Sequence, residues 1–449
     1  MRRALGLTFF ALLASGACGQ EALPPEGQVV LHVTTDTRLP LGAGQQADRA
    51  LFDRLSIEVF PSGAGEPCEG CTREFALDAE LVDKGQASVG IVPPAGVGEV
   101  RVRVRMFRAA LDAPAPRAAS TVEQVVRLPA IKADAVQHVT VTLLTEDVGV
   151  PRGTLESPEE AVLGVPASGL VGTWAGVAPT TCAGEAGPDE VCIPGGAFWM
   201  GDPSLDFTGV ADVQGGAERL VVLSPYFLDL TEVTVGAFRA SGLAEPPGTL
   251  ATGNPLPAAP GDWCTYREIA GEYDALPVNC LTWRMARAYC ESVGKRLPTE
   301  AEFEFAASKL GTSSYVWGEE MPDCEDAIHD RRATGRCGAG GPEFVGSGVR
   351  DRLFIDGREV LDLAGNIMEF AQDFWQLDDE PCWGTPGVLW DPSCEEPSAL
   401  DQIGRSVRGG DFSDPPVFLR AAPRTYIPGE SKSAKAMVGF RCARSGAHR

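Results

Sequence analysis

The chain has 449 residues, enough for roughly two or three domains with proper cores. A hydrophobic share of 44% and a charged share of 22% are those of a globular protein, while 52 Gly and 35 Pro favour turns and irregular connections over helical bundles. A net charge of -24 argues against nucleic-acid binding, because no Lys/Arg surplus exists to replace phosphate counterions, and it reads as a solvated acidic surface.

Residues 1–17 read as an export signal: Arg2-Arg3, an apolar run from Ala4 to Ala14, then Ser15-Gly16-Ala17 ahead of Cys18. The run is too short to span a bilayer as a permanent helix. Small residues before a cysteine resemble a bacterial lipobox, with Ser15 where that pattern usually has Leu. The expectation is lipidation at Cys18 and a lipid-anchored protein of the bacterial cell envelope, membrane-bound through that anchor alone; the alternative is a secreted or periplasmic protein. Residues 18–28 then form a Pro/Glu-rich tether.

From Val29 the pattern turns to strands. Val29–Val33, Leu55–Phe60, Ala87–Ile91, Val100–Met106 and Val139–Leu143 are β-rich or alternating. Arg101, Arg103 and Arg105 against Val100, Val102 and Val104 give a period of two, predicting one wet face and one buried face. Such strands, with turns between them and no helical period, predict an all-β sandwich over 29–147. Cys68-Glu69-Gly70-Cys71 has redox spacing without a βαβ context and reads as a structural disulfide, and His32 as a plain strand residue. Residues 148–190, rich in Pro, Gly, Ala and acidic residues, read as a linker.

The second domain is expected over 191–445. It opens on a strand with a Pro194-Gly195-Gly196 turn, continues with a strand at Phe227–Thr234, and has a short helix around Val235 to Ala240. Trp283 to Ser292 reads as a helix with Ala286, Tyr289 and Cys290 on one face. Thr299 with Glu302 three residues on is a capping box that starts another helix, in which Phe303, Ala306 and Ala307 should be core. Gly311 to Phe354 is loop-like; His329 lies there beside Asp326 and Asp330 and reads as solvent-facing. Four histidines, at 32, 138, 329 and 448, cannot build a histidine metal cluster from neighbours.

Thirteen cysteines in an exported chain invite disulfides. Setting Cys18 aside, Cys68–Cys71, Cys182–Cys192, Cys264–Cys280, Cys324–Cys337 and Cys382–Cys394 are natural local loops, which leaves Cys290 with Cys442. Spacing does not prove this connectivity. The last bridge would close about 150 residues and contribute on the order of 5 kcal/mol in the chain-entropy picture. The even count leaves no thiol spare for chemistry.

The ordered set Pro194-Gly195-Gly196-x-Phe198-x-Met200-Gly201, Glu232-Val233-Thr234, Pro277-Val278-Asn279, Arg296–Glu302, Gly365-Asn366-x-x-Glu369, Arg408-Gly409-Gly410 and Gly439-Phe440-Arg441-Cys442 resembles the formylglycine-generating enzyme (sulfatase-modifying factor) superfamily. That resemblance implies an α+β, irregular C-type-lectin-like domain. It also implies a bridge between Cys290 and Cys442. It further implies a structural calcium ion on Asp362 and Glu369 side chains with Gly365 and Ile367 carbonyls, oxygen donors suited to a hard cation. A second calcium site would fall near Ala327-Ile328, where Ile328 stands in place of a side-chain oxygen.

The family's oxidase chemistry uses two cysteines after the Arg-Gly-Gly turn to bind copper(I), for which thiolates are the fitting donors. Here, counting from Gly409-Gly410 places Asp414 and Leu419 there, counting back from Arg424 with a short deletion places other residues there, and no cysteine lies between Gly410 and Phe440. No copper is expected, and no catalytic residue is assigned. The reading is a pseudoenzyme, a non-catalytic module for a peptide, glycan or envelope protein, with Arg408, Asp411, Asp414 and Arg420 as candidate cleft residues. The alternative is a peptide-modifying oxidase of the same family working through another site.

Overall fold

The computed structural model describes residues 27–41, 50–92, 99–109, 117–132, 135–207, 215–244, 246, 263–332, 334–398, 404–427 and 436–446. The signal segment, Cys18 and His448 lie outside the described residues. The chain is mostly β, with short helices at Ala79–Asp83, Val235–Ala240, Trp283–Ser292 and Glu300–Ala307.

In the N-terminal half, the Val-rich strand Gln28–Thr35 runs antiparallel to Ser88–Ile91 and parallel to Val136–Leu143, which pairs with Val162–Leu163. A second sheet orders Thr72–Ala76, Arg54–Pro61, Val100–Phe107, Val122–Arg127 and Glu159–Glu160. Val29, Leu31 and Val141 of the first sheet share one apolar cluster with Ile57, Val102 and Val104 of the second. Alternation along each strand delivers these residues to the same side.

Two details depart from the sequence reading. Arg101, expected on the wet face, is only 7% exposed. Its guanidinium donates through Nη1 and Nη2 to the carbonyls of Leu155 at 2.6 Å, Pro61 at 2.7 Å and Ala64 at 2.9 Å, so these two nitrogens bond backbone instead of water. The stretch that covers it was read as linker, yet it adds Glu159–Glu160 to one sheet and Val162–Leu163 to the other. Strands Thr72–Ala76 and Val122–Arg127 were also unforeseen, because neither alternates cleanly and pairing with neighbours organises them.

The C-terminal half is built from small sheets. Glu190–Ile193, Tyr226–Asp229 and Ala443–Ser445 form one, so the end of the domain pairs with its beginning. Gly196–Met200, Arg219–Leu223 and Leu389–Trp390 form another, and Arg352–Ile355 with Arg358–Leu361 a hairpin. Thr425–Ile427, Arg405–Arg408, Met368–Phe374 and Val438–Gly439 form a fourth. The capping box is present: Glu302 N donates to Thr299 Oγ1 at 3.2 Å and Thr299 N to Glu302 Oε2 at 2.8 Å. Phe303, Ala306 and Ala307 are buried as their spacing predicted, but Glu300, Glu302 and Glu304 are buried too, so the helix is covered all round.

All twelve described cysteines are bridged, in the six pairs that the loop arithmetic put forward. Cys290 and Cys442 join the helix Trp283–Ser292 to the chain's last strands across 152 residues, both fully buried beside Phe440.

The two halves share a core. Trp199, Leu220 and Val222 belong to the apolar cluster of the N-terminal sheets. Trp199 Nε1 donates to Leu51 O at 2.7 Å, and its ring meets Phe52 edge-on with centroids 5.4 Å apart. Replacing Trp199 by Ala leaves a cavity and strands that carbonyl, and is expected to cost about 3–5 kcal/mol. Calorimetry should then show one unfolding transition of the wild type resolving into two in Trp199→Ala.

Candidate functional site

Two neighbouring groups of residues define the site, a buried acidic centre and the segment after the Gly409-Gly410 turn. The acidic centre sits on a loop that curls from Asp362 to Asn366. Asp362 and Asn366 take φ of 55° and 62°, and Gly365 takes φ of 128°. A Cβ on Gly365 would stand 2.6 Å from Ile328 O, so both conformation and space demand glycine. Asp and Asn are the residues that best tolerate the left-handed region elsewhere in the loop.

This loop brings Asp362 and Glu369 together with two carboxylates that sequence reasoning missed, Glu232 and Asp351. All four are buried. Glu369 accepts from Arg441 Nε at 2.7 Å and Nη2 at 2.5 Å, and Arg441 Nη2 also donates to Asp362 O at 2.8 Å. Asp351 accepts from the Leu363 and Ala364 N–H groups at 3.0 and 2.9 Å, and Glu232 from Asn366 Nδ2 at 3.1 Å. Burial, then the Asp362 charge, pushes Asp351 up to about 8. Burial with the charges of Asp362 and Glu369 holds Glu232 well above the carboxylate range. Four acids and one guanidinium leave the centre short of positive charge. Both Glu369 oxygens are already held by Arg441, which leaves Asp362 as the carboxylate more open to a hard cation. Among the described residues no group of three or more His, Cys, Asp or Glu side chains is set to hold a metal by side chains alone. Carbonyl oxygens such as those of Gly365 and Ile367 would therefore have to complete the shell.

Asn366 links this centre to the second group. Its amide oxygen accepts from Glu343 N at 2.9 Å, and its backbone carbonyl accepts from Phe412 N at 2.8 Å. Residues 409 and 410 both have positive φ, 94° and 73°, and a Cβ on Gly410 would meet Phe418 O at 2.9 Å. The turn then lays down Asp411 and Asp414 side by side. Asp414 Oδ2 accepts from Asp411 N at 3.0 Å, and Asp411 Oδ1 from Ser413 N at 2.6 Å. Burial and the Asp411 charge push Asp414 up to about 7. Arg332 leans on the pair, with Nη2 3.5 Å from Asp414 Oδ1 and Nε donating to Ser413 O at 2.5 Å.

The other candidates separate. Arg408 is not a cleft residue. It is fully buried, paired with Glu300 and Glu304, and donates to Ala421 O at 2.8 Å and Ala422 O at 3.3 Å. The buried glutamates of the helix Glu300–Ala307 require it there. Arg420 pairs with Asp202 and donates to Ser314 Oγ at 3.0 Å. Leu419 is 1% exposed and packs with Tyr315, Ala327 and Ala364. His329, expected to face solvent, is fully buried. Tyr315 and Trp317 stack with centroids 5.0 Å apart, and Trp263 meets Phe412 edge-on at 6.3 Å. No pattern in the sequence marked these aromatic pairs, because the loops that join them are irregular.

The sulfatase-modifying factor enzyme 1-like domain matches residues 175–446, and the chain belongs to that family. It is 29% identical over 305 residues to the formylglycine-generating enzyme of Thermomonospora curvata, covering 58% of this chain and 94% of that protein. It is likewise 29% identical over 294 residues to the inactive C-alpha-formylglycine-generating enzyme 2 of Bos taurus, covering 58% of this chain and 88% of that one. The structure of PvdO from Pseudomonas aeruginosa aligns over 57% of this chain and 94% of that one, with a TM-score of 0.41 and 24% identity.

The Asp414 carboxyl gives a pH signature. Unfolded, it loses its proton near the ordinary 3.8; folded, it keeps it to about 7. The folded state binds more protons between those values, so this group lowers stability as pH rises through that window, with no further change above it. Asp414→Asn should flatten that decline by on the order of 2 kcal/mol, read from urea unfolding between pH 4.5 and 8.

Proposed function

We propose that this protein is an exported, lipid-anchored, non-catalytic member of its family, whose lectin-like domain binds a peptide, glycan or envelope protein. The observation that carries this reading is the chemistry at the two positions where, counted from Gly409-Gly410, the family's copper(I) thiolates would stand. Asp414 is a carboxyl whose burial beside the Asp411 charge raises it to about 7, and Leu419 is a plug in an apolar cluster. Neither offers a soft donor, and all twelve described cysteines are already bridged. A relative whose name marks it inactive, matched over most of its length, supports the same reading. Six disulfides suit an oxidising compartment, and among the described residues no helix is long and apolar enough to cross a membrane.

The binding surface in this reading is the segment from Ser413 to Arg420, edged by Trp263, Trp317 and Arg332, while Asp411 and Tyr315, only 2% and 3% exposed, lie beneath it and are not cleft residues. It combines acidic, basic and aromatic groups, the mixture that recognises polar ligands with flat apolar faces. The two N-terminal sheets are read as a β-sandwich that displays this domain away from the membrane. Calcium at Asp362, Glu369 and the Gly365 and Ile367 carbonyls serves as a structural ion beneath the segment.

Two measurements test this. Incubated with copper and a Cys-x-Pro-x-Arg peptide, the protein should leave the peptide mass unchanged, and conversion of the cysteine to an aldehyde would overturn the non-catalytic assignment. In calorimetry, chelation of calcium should lower the melting temperature by several degrees and added calcium should restore it, as expected of an ion that binds only the folded state. An unchanged melting temperature would remove the ion from the proposal.

A further inference from the structure

The Cys324–Cys337 disulfide differs from the other five in two respects. Cys324 is exposed, and it is the one exposed cysteine among the described residues. Its partner Cys337 is half-buried and has an imidazole beside it: His329 Nε2 lies 3.9 Å from Cys337 Sγ. That same nitrogen lies 3.3 Å from Asp323 O. A carbonyl can only accept, so Nε2 carries the proton and His329 is a donor toward both the carbonyl and the sulfur. The ring is fully buried, and Nδ1 has no partner.

The geometry points to Cys324–Cys337 as a thiol–disulfide exchange site that takes a dithiol reductant. A thiolate of the reductant attacks Sγ of the exposed residue Cys324 and bonds to it. The Cys324–Cys337 bond breaks, and its electron pair leaves on Cys337 Sγ. His329 Nε2–H, already poised over that sulfur, stabilises the departing thiolate by hydrogen bonding, and solvent supplies its proton. The reductant's second thiol then attacks the mixed disulfide, releasing Cys324 as a thiol and leaving the reductant oxidised to its own disulfide. The bridge gains two electrons and two protons, and the dithiol loses the same. Exchange rate depends on access to the attacked sulfur and on stabilisation of the leaving one, and this bridge has both.

The consequence falls on the cleft. Cys337 N donates to Asp330 O at 3.2 Å, Asp330 N to Asp414 O at 2.8 Å, and Arg331 N to Phe412 O at 2.9 Å. The bridged loop thus clamps the segment that carries the carboxyl pair, and reduction removes the tie that holds the loop closed. The exchange step stands whether or not the cleft binds a ligand, so it can fail independently of the proposed function.

Cys182–Cys192 and Cys382–Cys394 are natural internal references, because they span 10 and 12 residues against 13 for Cys324–Cys337 and so close loops of similar size. The folded full chain is exposed to dithiothreitol at neutral pH, quenched with isotope-coded alkylating reagent over time, and mapped by peptide mass spectrometry. Cys324 and Cys337 should be labelled about tenfold faster than both reference pairs. His329→Phe should slow their labelling several-fold with no change at the references, while His329→Gln, which keeps an N–H donor, should recover most of the rate. The proposal is overturned if the wild-type bridge opens no faster than the references, or if the Phe and Gln variants react alike. The wild-type comparison stands even where a variant fails to fold.

Discussion

Arg441 is the residue on which the C-terminal domain closes. Its guanidinium is buried, grips Glu369 through two nitrogens, and donates to the carbonyls of Leu361 and Asp362. It thereby ties the last strands to the acidic loop, one residue from the Cys290–Cys442 bridge. Removing either partner of such a pair leaves an uncompensated charge in low dielectric, typically a loss of about 3–5 kcal/mol. The pair is therefore less a source of net stability than a device for selecting one arrangement. Any packing that separates Arg441 from Glu369 strands both.

A second buried network does for the cleft what Arg441 does for the acidic centre. Glu300 accepts from Arg424 Nε at 2.6 Å and from Ser406 Oγ at 2.9 Å, while Arg408 bridges Glu300 and Glu304. Opposed burial and ion-pair effects leave Glu300 below the usual carboxylate range and Glu304 above it. These charges hold the strand Arg405–Arg408 against the helix Glu300–Ala307, so the turn at Gly409-Gly410 leaves a rigid base in a set direction. The segment beyond that turn is supported from three sides: Asn366 to Phe412, the 330–332 loop to Asp414 and Phe412, and Leu419 in its apolar seat. The supported segment carries a carboxyl at Asp414 and buried aliphatic carbon at Leu419.

The join between the halves rests on different physics. Trp199 is at once a residue of the strand Gly196–Met200 and a member of the core of the N-terminal sheets. Apolar burial of that kind is non-directional, but the Trp199 Nε1–Leu51 O bond sets the register of the contact. The Arg108–Glu218 pair, at 3.0 Å, lies beside it. The orientation of the C-terminal half to the N-terminal sheets follows from this seam.

Short-range features were legible in the chain alone. The Thr299–Glu302 capping box, the helix at Trp283–Ser292, the alternating core of Val100–Met106 and the five local disulfide loops involve residues near one another in sequence, where spacing determines geometry. The family frame was legible too, because its motifs are local turns and caps in a fixed order. Tertiary structure alone decided what depends on residues far apart. It turned Arg408 inward to meet Glu300 and Glu304, buried Arg101 beneath Leu155, gathered Glu232 and Asp351 around Asp362, and set His329 over Cys337. In each case a charged or polar group is placed by the desolvation cost of leaving it without a partner, and that partner comes from a segment no local pattern could name.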